Sequence, residues 1–259
     1  MHPLASRLPA PLKNLLFALK KRVDASIVVD RTFLAAQYLR GNGIEIGALH
    51  VPLRLPANAH AKYVDRMTTP DLRQHYPELA SFNLVEVDIV CNGELLTKIG
   101  DASQDFCIAN HFLEHAQNPL QTLQTLFRVL KPGGVLFMAL PDKRFTFDAD
   151  RPVTSIEHIV QDYEQGPAWS MQAHFEEWVR LTEKAAPESV VQRTAKLLAE
   201  DYSIHFHVWT QTEMMAVLRA AQQHADLQFD IELFLKHGGE CIFILRKTGA
   251  SKAGPQTQP

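Results

Sequence analysis

The stretch that decides the fold is LFRVLKPGGVLFMALPD, residues 126–142, in which a helix end, a sharp turn and an apolar strand follow one another. The run VLFMAL is apolar at every position, which predicts a strand buried on both faces, as in a parallel sheet. Pro132-Gly133-Gly134 cannot continue a helix. Apolar residues before this turn recur at helical spacing: Leu120, Leu123, Leu126, Phe127 and Leu130. A helix that leads directly into a buried strand is half of a βαβ unit.

Similar strand patterns lie on both sides of this stretch, separated by turn or helix patterns. Upstream they are GIEIG (43–47), KYVDRM (62–67), LVEVDIV (84–90) and FCIAN (106–110). Downstream, LQFDIELFL (227–235) and ECIFILRK (240–247) are joined through KHGG, which predicts an antiparallel hairpin. The sequence therefore predicts an α/β fold with a doubly wound, mostly parallel Rossmann-like sheet that ends in an antiparallel C-terminal hairpin.

The strand pattern is interrupted between Asp142 and Phe206, where the sequence is polar, rich in aromatic residues and helical in pattern. A segment of roughly sixty residues is too long for a structureless loop in a compact domain. We therefore predict an inserted helical cap for substrate over residues 142–206. The rest divides into an N-terminal helical segment (1–40), a cofactor-binding core (41–141 and 207–247) and a disordered tail (248–259).

Composition disfavours several classes of protein. The chain has 259 residues, a net charge of −3 and a pI near 6.5, without the basic excess of a nucleic-acid-binding protein. Apolar runs are too short for a membrane span, and basic residues follow LLFAL (15–19) instead of preceding it as in a signal peptide. The three cysteines lack pairing or metal spacing, which suits a reducing compartment. We expect a cytoplasmic protein with no membrane span and no nucleic-acid partner.

Residues 12–22, LKNLLFALKKR, alternate leucines and basic residues at helical spacing. This amphipathic pattern predicts a helix that packs its leucines on the domain. Binding to a membrane surface is the alternative interpretation.

The order of these motifs resembles the class I S-adenosylmethionine-dependent methyltransferases over roughly residues 41–141 and 207–247. Glu45-Ile46-Gly47 resembles the start of the first motif of that family, and DASQDFCIANHFLEH (101–115) resembles its fourth motif. Residues 126–142 strongly resemble its helix, Pro-Gly-Gly turn and fifth strand. Ligands of such sheets bind beyond the carboxyl ends of the strands.

The resemblance implies a site for S-adenosylmethionine, with S-adenosylhomocysteine as the product. In such a site the Gly47 backbone would approach the methionine part of the cofactor, with Glu45 beneath it. Asp65, at the end of the second strand, would hold the ribose hydroxyls, and Arg66 follows where the family often lays a side chain on the adenine. Further cofactor-binding residues are implied at the adenine edge and at the methionine end: Asp88, Gly93, Glu94, Asn110 and His111.

The first motif departs from the family pattern. Leu49 and Val51 stand where the family commonly has its second and third glycines, and Pro52 follows. Bulky side chains keep a backbone from approaching a pyrophosphate closely, so a nicotinamide dinucleotide is disfavoured. S-adenosylmethionine has no phosphate, and the loop suits it better.

The segment SIHFHVWT, residues 203–210, supplies candidate bases. In an extended segment His205 and His207 face the same way, and Asp142, leaving the fifth strand, would orient whichever histidine acts. The competing interpretation is that both histidines lie on a solvent-facing edge. A metal would need a third ligand from Asp142 or His174, but no spacing favours one, so we predict no metal site.

The predicted function is transfer of the methyl group of S-adenosylmethionine to a small-molecule acceptor such as a sugar or glycan precursor. Two alternatives stay open. The first is an enzyme that transfers or cyclises a different group of the same cofactor. The second is a non-catalytic partner or regulatory subunit that keeps the fold. The sequence leaves the oligomeric state open.

Overall fold

The computed structural model describes residues 28–249. Its helices are Arg31–Tyr38 (α1), Thr69–His75 (α2), Pro119–Val129 (α3), Ile156–Gln165 (α4), Met171–Glu177 (α5), Val190–Ala199 (α6) and Gln211–His224 (α7). Its strands are Gly41–Ile46 (β1), Ala59–Asp65 (β2), Ile89–Val90 (β3), Gln104–Asn110 (β4), Leu130–Pro141 (β5), Phe229–His237 (β6) and Glu240–Lys247 (β7). The amphipathic pattern over 12–22 and most of the predicted tail lie outside the described residues.

The strands form one seven-stranded sheet in the order β3-β2-β1-β4-β5-β7-β6. Strands β1 to β5 pair in parallel, and β7 runs antiparallel to both β5 and β6. This confirms the predicted doubly wound sheet with its antiparallel C-terminal hairpin. The chain moves outward from β1 to β3 and then returns to β4 on the other side of β1. The gap between β1 and β4 is therefore the topological switch point, where ligands of such sheets bind.

Apolar side chains cover both faces of the sheet. On one face α3 and α7 pack against β4 and β5, and this core includes Leu123, Leu136 and Val217. On the other face α1 packs Leu34 and Ala35 against apolar residues of β4, β5 and β7. Asp30 caps the start of α1, because its carboxylate accepts a hydrogen bond of 2.8 Å from the Phe33 N–H.

The connection between β1 and β2 contains no helix. Residues 47–58 form turns and irregular backbone, in agreement with the prolines at positions 52 and 56. Leu53 is buried, and its N–H donates to Glu45 Oε1 at 2.9 Å. The Glu45 carboxylate therefore ties this loop to the strand that precedes it.

Two predicted strands differ most from the observed ones. The strand expected over residues 84–90 pairs only at Ile89–Val90, because Val85 N–H donates to Leu49 O and Val87 N–H donates to the Thr69 hydroxyl. Strand β5 begins at Leu130, before the Pro-Gly-Gly turn, since Leu130 already pairs with Gln104. The register then shifts before Phe106 meets Val135, so the glycines lie in an irregular strand start.

Residues 142–206, which we call the cap segment, contain α4, α5, α6 and short turns. Several of their apolar side chains form a separate small core: Phe175, Val179, Val190, Leu197, Ile204 and Phe206. No helix among residues 28–249 is both long and apolar enough to cross a membrane.

Candidate functional site

A cavity of about 410 Å³ lies at the carboxyl ends of β1, β2 and β4, between the sheet and the cap segment. The wall formed by the sheet and its loops includes Gly47, Asp65, Arg66, Gly93, Glu94 and His111. The wall formed by the cap segment includes Asp201, Tyr202, Ser203 and Phe206. The structure thus gathers most of the predicted cofactor residues around one cavity at the topological switch point.

Gly47 forms the turn that leaves β1. Its φ is +64°, a conformation that side chains with a Cβ rarely adopt, and its N–H donates to Val64 O at 3.0 Å. This bond holds the turn beside the end of β2, next to Asp65. A Cβ built on Gly47 would meet no atom within 4 Å, because this side of the residue is open. A ligand in the cavity therefore has direct access to the Gly47 backbone.

Asp65 presents a carboxylate where β2 ends. Its Oδ1 accepts a hydrogen bond of 2.7 Å from the Arg66 N–H. Burial raises the pKa of Asp65, and this effect outweighs the backbone hydrogen bonds and nearby cations that favour the ionised form. A partly desolvated carboxylate is a strong acceptor for a pair of sugar hydroxyls, so the residue fits the ribose of S-adenosylmethionine.

Arg66 lines the cavity, but its guanidinium reaches the cap segment. Its Nη1 donates to the Asp201 carbonyl at 3.1 Å and pairs with Asp201 Oδ2 at 3.3 Å, while Nη2 lies 3.0 Å from His75 Nε2. Arg66 therefore joins the two walls of the cavity. This arrangement differs from the position over an adenine that the resemblance implied.

The predicted adenine-edge residues divide into two groups. Glu94 lines the cavity, and its carboxylate accepts from the Gln117 N–H at 3.0 Å. Gly93 also lines it, and a Cβ there would lie 2.7 Å from atoms of Ile46 and Phe112, so only glycine fits. Asp88 lies elsewhere, because its Oδ2 accepts from the Tyr63 N–H at 2.8 Å and it does not line the cavity.

Glu45 and Asn110 lie beneath the cavity. Burial raises the pKa of Glu45 to about 7, against the opposing effects of the Leu53 N–H and the charge of Arg31. Both polar atoms of the Asn110 side chain are buried and find no hydrogen-bond partner within residues 28–249. Neither residue lines the cavity, and of the two only Glu45 ties a loop, through the Leu53 N–H.

His111 lines the cavity in a strained conformation directly after β4, with φ of +49°. Its Nε2 donates to Glu240 Oε2 at 2.8 Å, and its Nδ1 lies 3.6 Å from Glu114 Oε1. Burial favours the neutral ring, but the hydrogen bonds and charges of these two carboxylates raise the pKa of His111 to about 9. His111 is therefore a cation whose charge is balanced by its own neighbours.

The structure does not bring His205, His207 and Asp142 together. Asp142 is paired with Arg144, whose Nε donates to Oδ1 at 2.9 Å, so it orients neither histidine. His205 Nδ1 donates to Asp148 Oδ2 at 2.6 Å. His207 is fully buried, so neither histidine lies on a solvent-facing edge. The reason is that residues 203–210 pass between the cap helices and the core and are enclosed on both sides.

His115, which was not among the predicted site residues, also lines the cavity, as do residues of the cap segment. His115 Nδ1 donates to Ile204 O at 2.9 Å and lies 3.1 Å from Ser203 Oγ, and its ring packs edge-on against His205. Burial lowers the pKa of His115 to about 4, so its ring is neutral at pH 7. The Leu-Glu-His ending of the fourth motif was a signal for His115, whereas Tyr202 and Ser203 carry no local signal.

Comparison with known proteins finds a methyltransferase domain in this chain. Residues 49–138 match the family model of a methyltransferase domain. A methyltransferase structure from Methanosarcina mazei is 16% identical, with 82% of this chain and 95% of that chain covered and a TM-score of 0.45. One from Aquifex aeolicus is 11% identical, with 87% and 95% covered and a TM-score of 0.44. Both are S-adenosylmethionine-dependent by name.

A third similar structure, the CurJ carbon methyltransferase, is 12% identical over 82% of this chain, with a TM-score of 0.44. The chain spans 49%, about half, of its length. No curated protein matches the chain in sequence. Structural similarity at these low sequence identities says nothing about the substrate. The family match over residues 49–138 includes several of the loops that line the cavity. The match over residues 49–138 identifies a methyltransferase domain in this part of the chain, and S-adenosylmethionine is the methyl-donor cofactor that the match implies.

Proposed function

We propose that this protein transfers the methyl group of S-adenosylmethionine to a small-molecule acceptor bound between the sheet and the cap segment. The observation that carries the proposal is the juxtaposition of the Gly47 turn and the Asp65 carboxylate at the edge of one cavity. A volume of about 410 Å³ falls in the usual range of small-molecule sites.

In this proposal the cofactor binds to the wall formed by the sheet. Asp65 accepts hydrogen bonds from the ribose hydroxyls, and Gly47 leaves room for the methionine part. Glu94 offers a carboxylate on the same wall, while Glu45 holds the loop between β1 and β2 from beneath. When bound, S-adenosylmethionine supplies an electrophilic methyl group, and the protein supplies positioning and exclusion of water.

The charges around the cavity favour an uncharged acceptor. Its lining includes the carboxylates Asp65, Glu78, Glu94 and Asp201, while Arg66 is already paired with Asp201. A phosphorylated or carboxylated acceptor would meet this negative potential. Tyr76 and Tyr202 add aromatic surface and hydroxyl groups. A neutral polyol, such as a sugar or glycan precursor, suits this lining.

The cations that follow β5 do not line the cavity and are bound to protein groups. Arg144 is paired with Asp142, and Arg151 is buried between Asp148 and Glu177. Lys143 donates to the Ala149 carbonyl at 2.7 Å. These contacts agree with an acceptor that carries no phosphate.

His115 is the histidine placed to receive a proton from an acceptor hydroxyl. Its Nδ1 donates to the Ile204 carbonyl, so the lone pair of a neutral ring is on Nε2. His115 also lines the cavity, whereas His205 packs behind it and His207 is fully enclosed. We therefore assign proton acceptance to His115 and a positioning role to His205.

The experiment is turnover by the purified chain with a panel of neutral polyols, with identification of the cofactor product. S-adenosylhomocysteine is the expected product. Methylthioadenosine would instead indicate transfer or cyclisation of a different group. Tight cofactor binding without turnover, restored by a second protein, would indicate a non-catalytic partner or regulatory subunit.

A further inference from the structure

Four side chains that could ligate a metal converge where the cap segment meets the core: His158, Asp162, His174 and His207. One ligand atom from each lies within 4.8 Å of the others. His158 and Asp162 are one turn apart on α4, and His174 is on α5. His207 belongs to the segment that leads from the cap back to α7. The cluster therefore joins three separate parts of the chain.

The spacing of these atoms resembles a four-coordinate ion site. Ligand atoms about 2.0–2.1 Å from a tetrahedral ion stand about 3.3 Å from one another. His158 Nε2 lies 3.0 Å from His174 Nε2 and 3.2 Å from Asp162 Oδ2. His207 Nε2 lies 3.7 Å from Asp162 Oδ2. These three separations are close to the tetrahedral value, and the other pairs of ligand atoms lie within 4.8 Å.

Protein hydrogen bonds leave this cluster incompletely satisfied. Asp162 is fully buried, and although Ser170 Oγ donates to its Oδ1 at 2.9 Å, its Oδ2 has no hydrogen-bond partner in the described part of the chain. The atom of His207 that faces Asp162 is Nε2, whose one hydrogen-bonding contact besides this cluster, among residues 28–249, is a long one of 3.5 Å to the Gln117 carbonyl. An uncompensated buried carboxylate oxygen is costly, and a bound cation would offset that cost.

Three imidazoles and one carboxylate are a ligand set that zinc accepts.

We propose that His158, Asp162, His174 and His207 bind one divalent metal ion of the zinc type. Four protein ligands, three of them buried and His158 partly buried, describe a closed, structural site. The ion would fasten α4 and α5 to the segment that contains Phe206, a residue of the cavity wall. The site lies behind that wall, and the proposal is independent of the identity of the acceptor.

A second group, Glu114, His115 and His205, is a weaker candidate. His115 Nδ1 already donates to Ile204 O, and His205 Nδ1 already donates to Asp148. It offers fewer ligands, and those histidines have protein partners. Its residues therefore serve as a comparison in the test.

The test uses the full chain without a histidine tag, stripped with a chelator and titrated with Zn²⁺ and Co²⁺. We expect one equivalent of Zn²⁺ per chain and a rise in melting temperature when Zn²⁺ is restored. Bound Co²⁺ should give the intense visible bands of tetrahedral coordination without thiolate charge transfer. Less than half an equivalent of tight Zn²⁺, or an octahedral Co²⁺ spectrum, would overturn the proposal.

Variants locate the bound ion. Asp162→Asn and His174→Ala should weaken Zn²⁺ binding by at least about a hundredfold, and Ser170→Ala by about ten- to a hundredfold, because Ser170 orients Asp162. His60→Ala, at an exposed histidine, and His115→Ala, in the second group, should leave it unchanged. Loss of Zn²⁺ in His115→Ala but not in His174→Ala would place the ion in the second group and overturn the assignment.

If the variants do not fold, a measurement on the wild-type protein still tests the proposal. Chelation of the wild-type protein should speed hydrogen exchange in residues 156–177 while exchange in β4 and β5 stays the same. Unchanged exchange in both regions would show that no ion fastens the cap segment, which again contradicts the proposal.

Discussion

Asp65 is the residue on which cofactor affinity should depend most directly, because its carboxylate stands at the end of β2 and lines the cavity. Asp65→Ala removes charge-assisted hydrogen bonds to the ribose, worth roughly 1.5–3 kcal/mol, so affinity should fall about ten- to a hundredfold. Titration calorimetry with S-adenosylhomocysteine measures the change. Asp88→Ala is the matched control, since that carboxylate binds the Tyr63 N–H outside the cavity. Equal affinity in the two variants would contradict the assignment.

Gly47 combines a left-handed backbone with an open side that faces the cavity. In Gly47→Val the side chain would occupy the space proposed for the methionine part of the cofactor, and the positive φ would add strain of about 1–2 kcal/mol. We expect the variant to remain folded, with a lower melting temperature, and to lose cofactor binding.

Gly238→Val separates the two effects of that substitution. Gly238 has φ of +58° and an equally open side, but it lies in the turn between β6 and β7. This control should be destabilised to a similar extent and still bind cofactor. If both valine variants bind cofactor equally well, Gly47 is a turn residue and nothing more.

At the scale of elements, the loop between β1 and β2 depends on the ionisation state of Glu45. Burial raises the pKa of this carboxyl group from 4.5 to about 7 in the folded protein. Between these values the folded protein holds a proton that the unfolded chain releases, so the contribution to stability is present below pH 4.5 and is lost as the pH rises through about 7. Ionised Glu45 then costs the fold on the order of 3 kcal/mol.

Glu45→Gln should remove this pH dependence, because the amide oxygen can still accept from the Leu53 N–H and the side chain does not titrate. The free energy of unfolding of the variant, relative to that of the wild type, should therefore increase from pH 5 to pH 8. Chemical denaturation at several pH values measures the difference. A difference that is the same at pH 5 and pH 8 would show that Glu45 is ionised throughout.

Elements with a strong local pattern were predictable, and those defined by distant partners were not. The apolar runs of β4 and β5 and the helical stripe of α3 are explicit in the sequence. The N–H groups of Val85 and Val87, by contrast, bond to a loop and a helix, and no local pattern reveals that choice. The predicted strand over 84–90 was too long for this reason.

The same distinction applies to the site. Gly47 and Asp65 follow strands, so the parallel sheet itself implies that they are neighbours. Tyr202 and Ser203 reach the cavity only through the packing of the cap segment. Likewise, the proposed metal ligands comprise one helical pair, His158 and Asp162, and two residues from other segments. Sequence spacing alone therefore gave no reason to predict a metal site.

At the scale of the whole molecule, the cavity has one wall on the sheet and one on a segment with its own small core. The pair between Arg66 and Asp201 joins these walls at the surface, and both side chains are at least partly exposed. Exposed ion pairs contribute little to stability, so this contact cannot hold the walls together rigidly. The cap segment is thus the part of the structure that we expect to open for substrate and product.

The last prediction is that the cap segment exchanges amide hydrogens faster than the sheet when no ligand is bound. Segments that open to admit substrate usually belong to the less stable parts of a structure. Strands β4 and β5, by contrast, lie in the centre of the core, where amide hydrogens exchange slowly. Exchange should slow in residues 190–206 on addition of S-adenosylhomocysteine, with the Zn²⁺ concentration held constant. Arg66→Ala should increase the exchange of residues 199–203 in the free protein, because it removes the contact with Asp201. Equal protection of cap and sheet, unchanged by the ligand, would mean that the cap segment is a fixed wall and that substrate enters by another route.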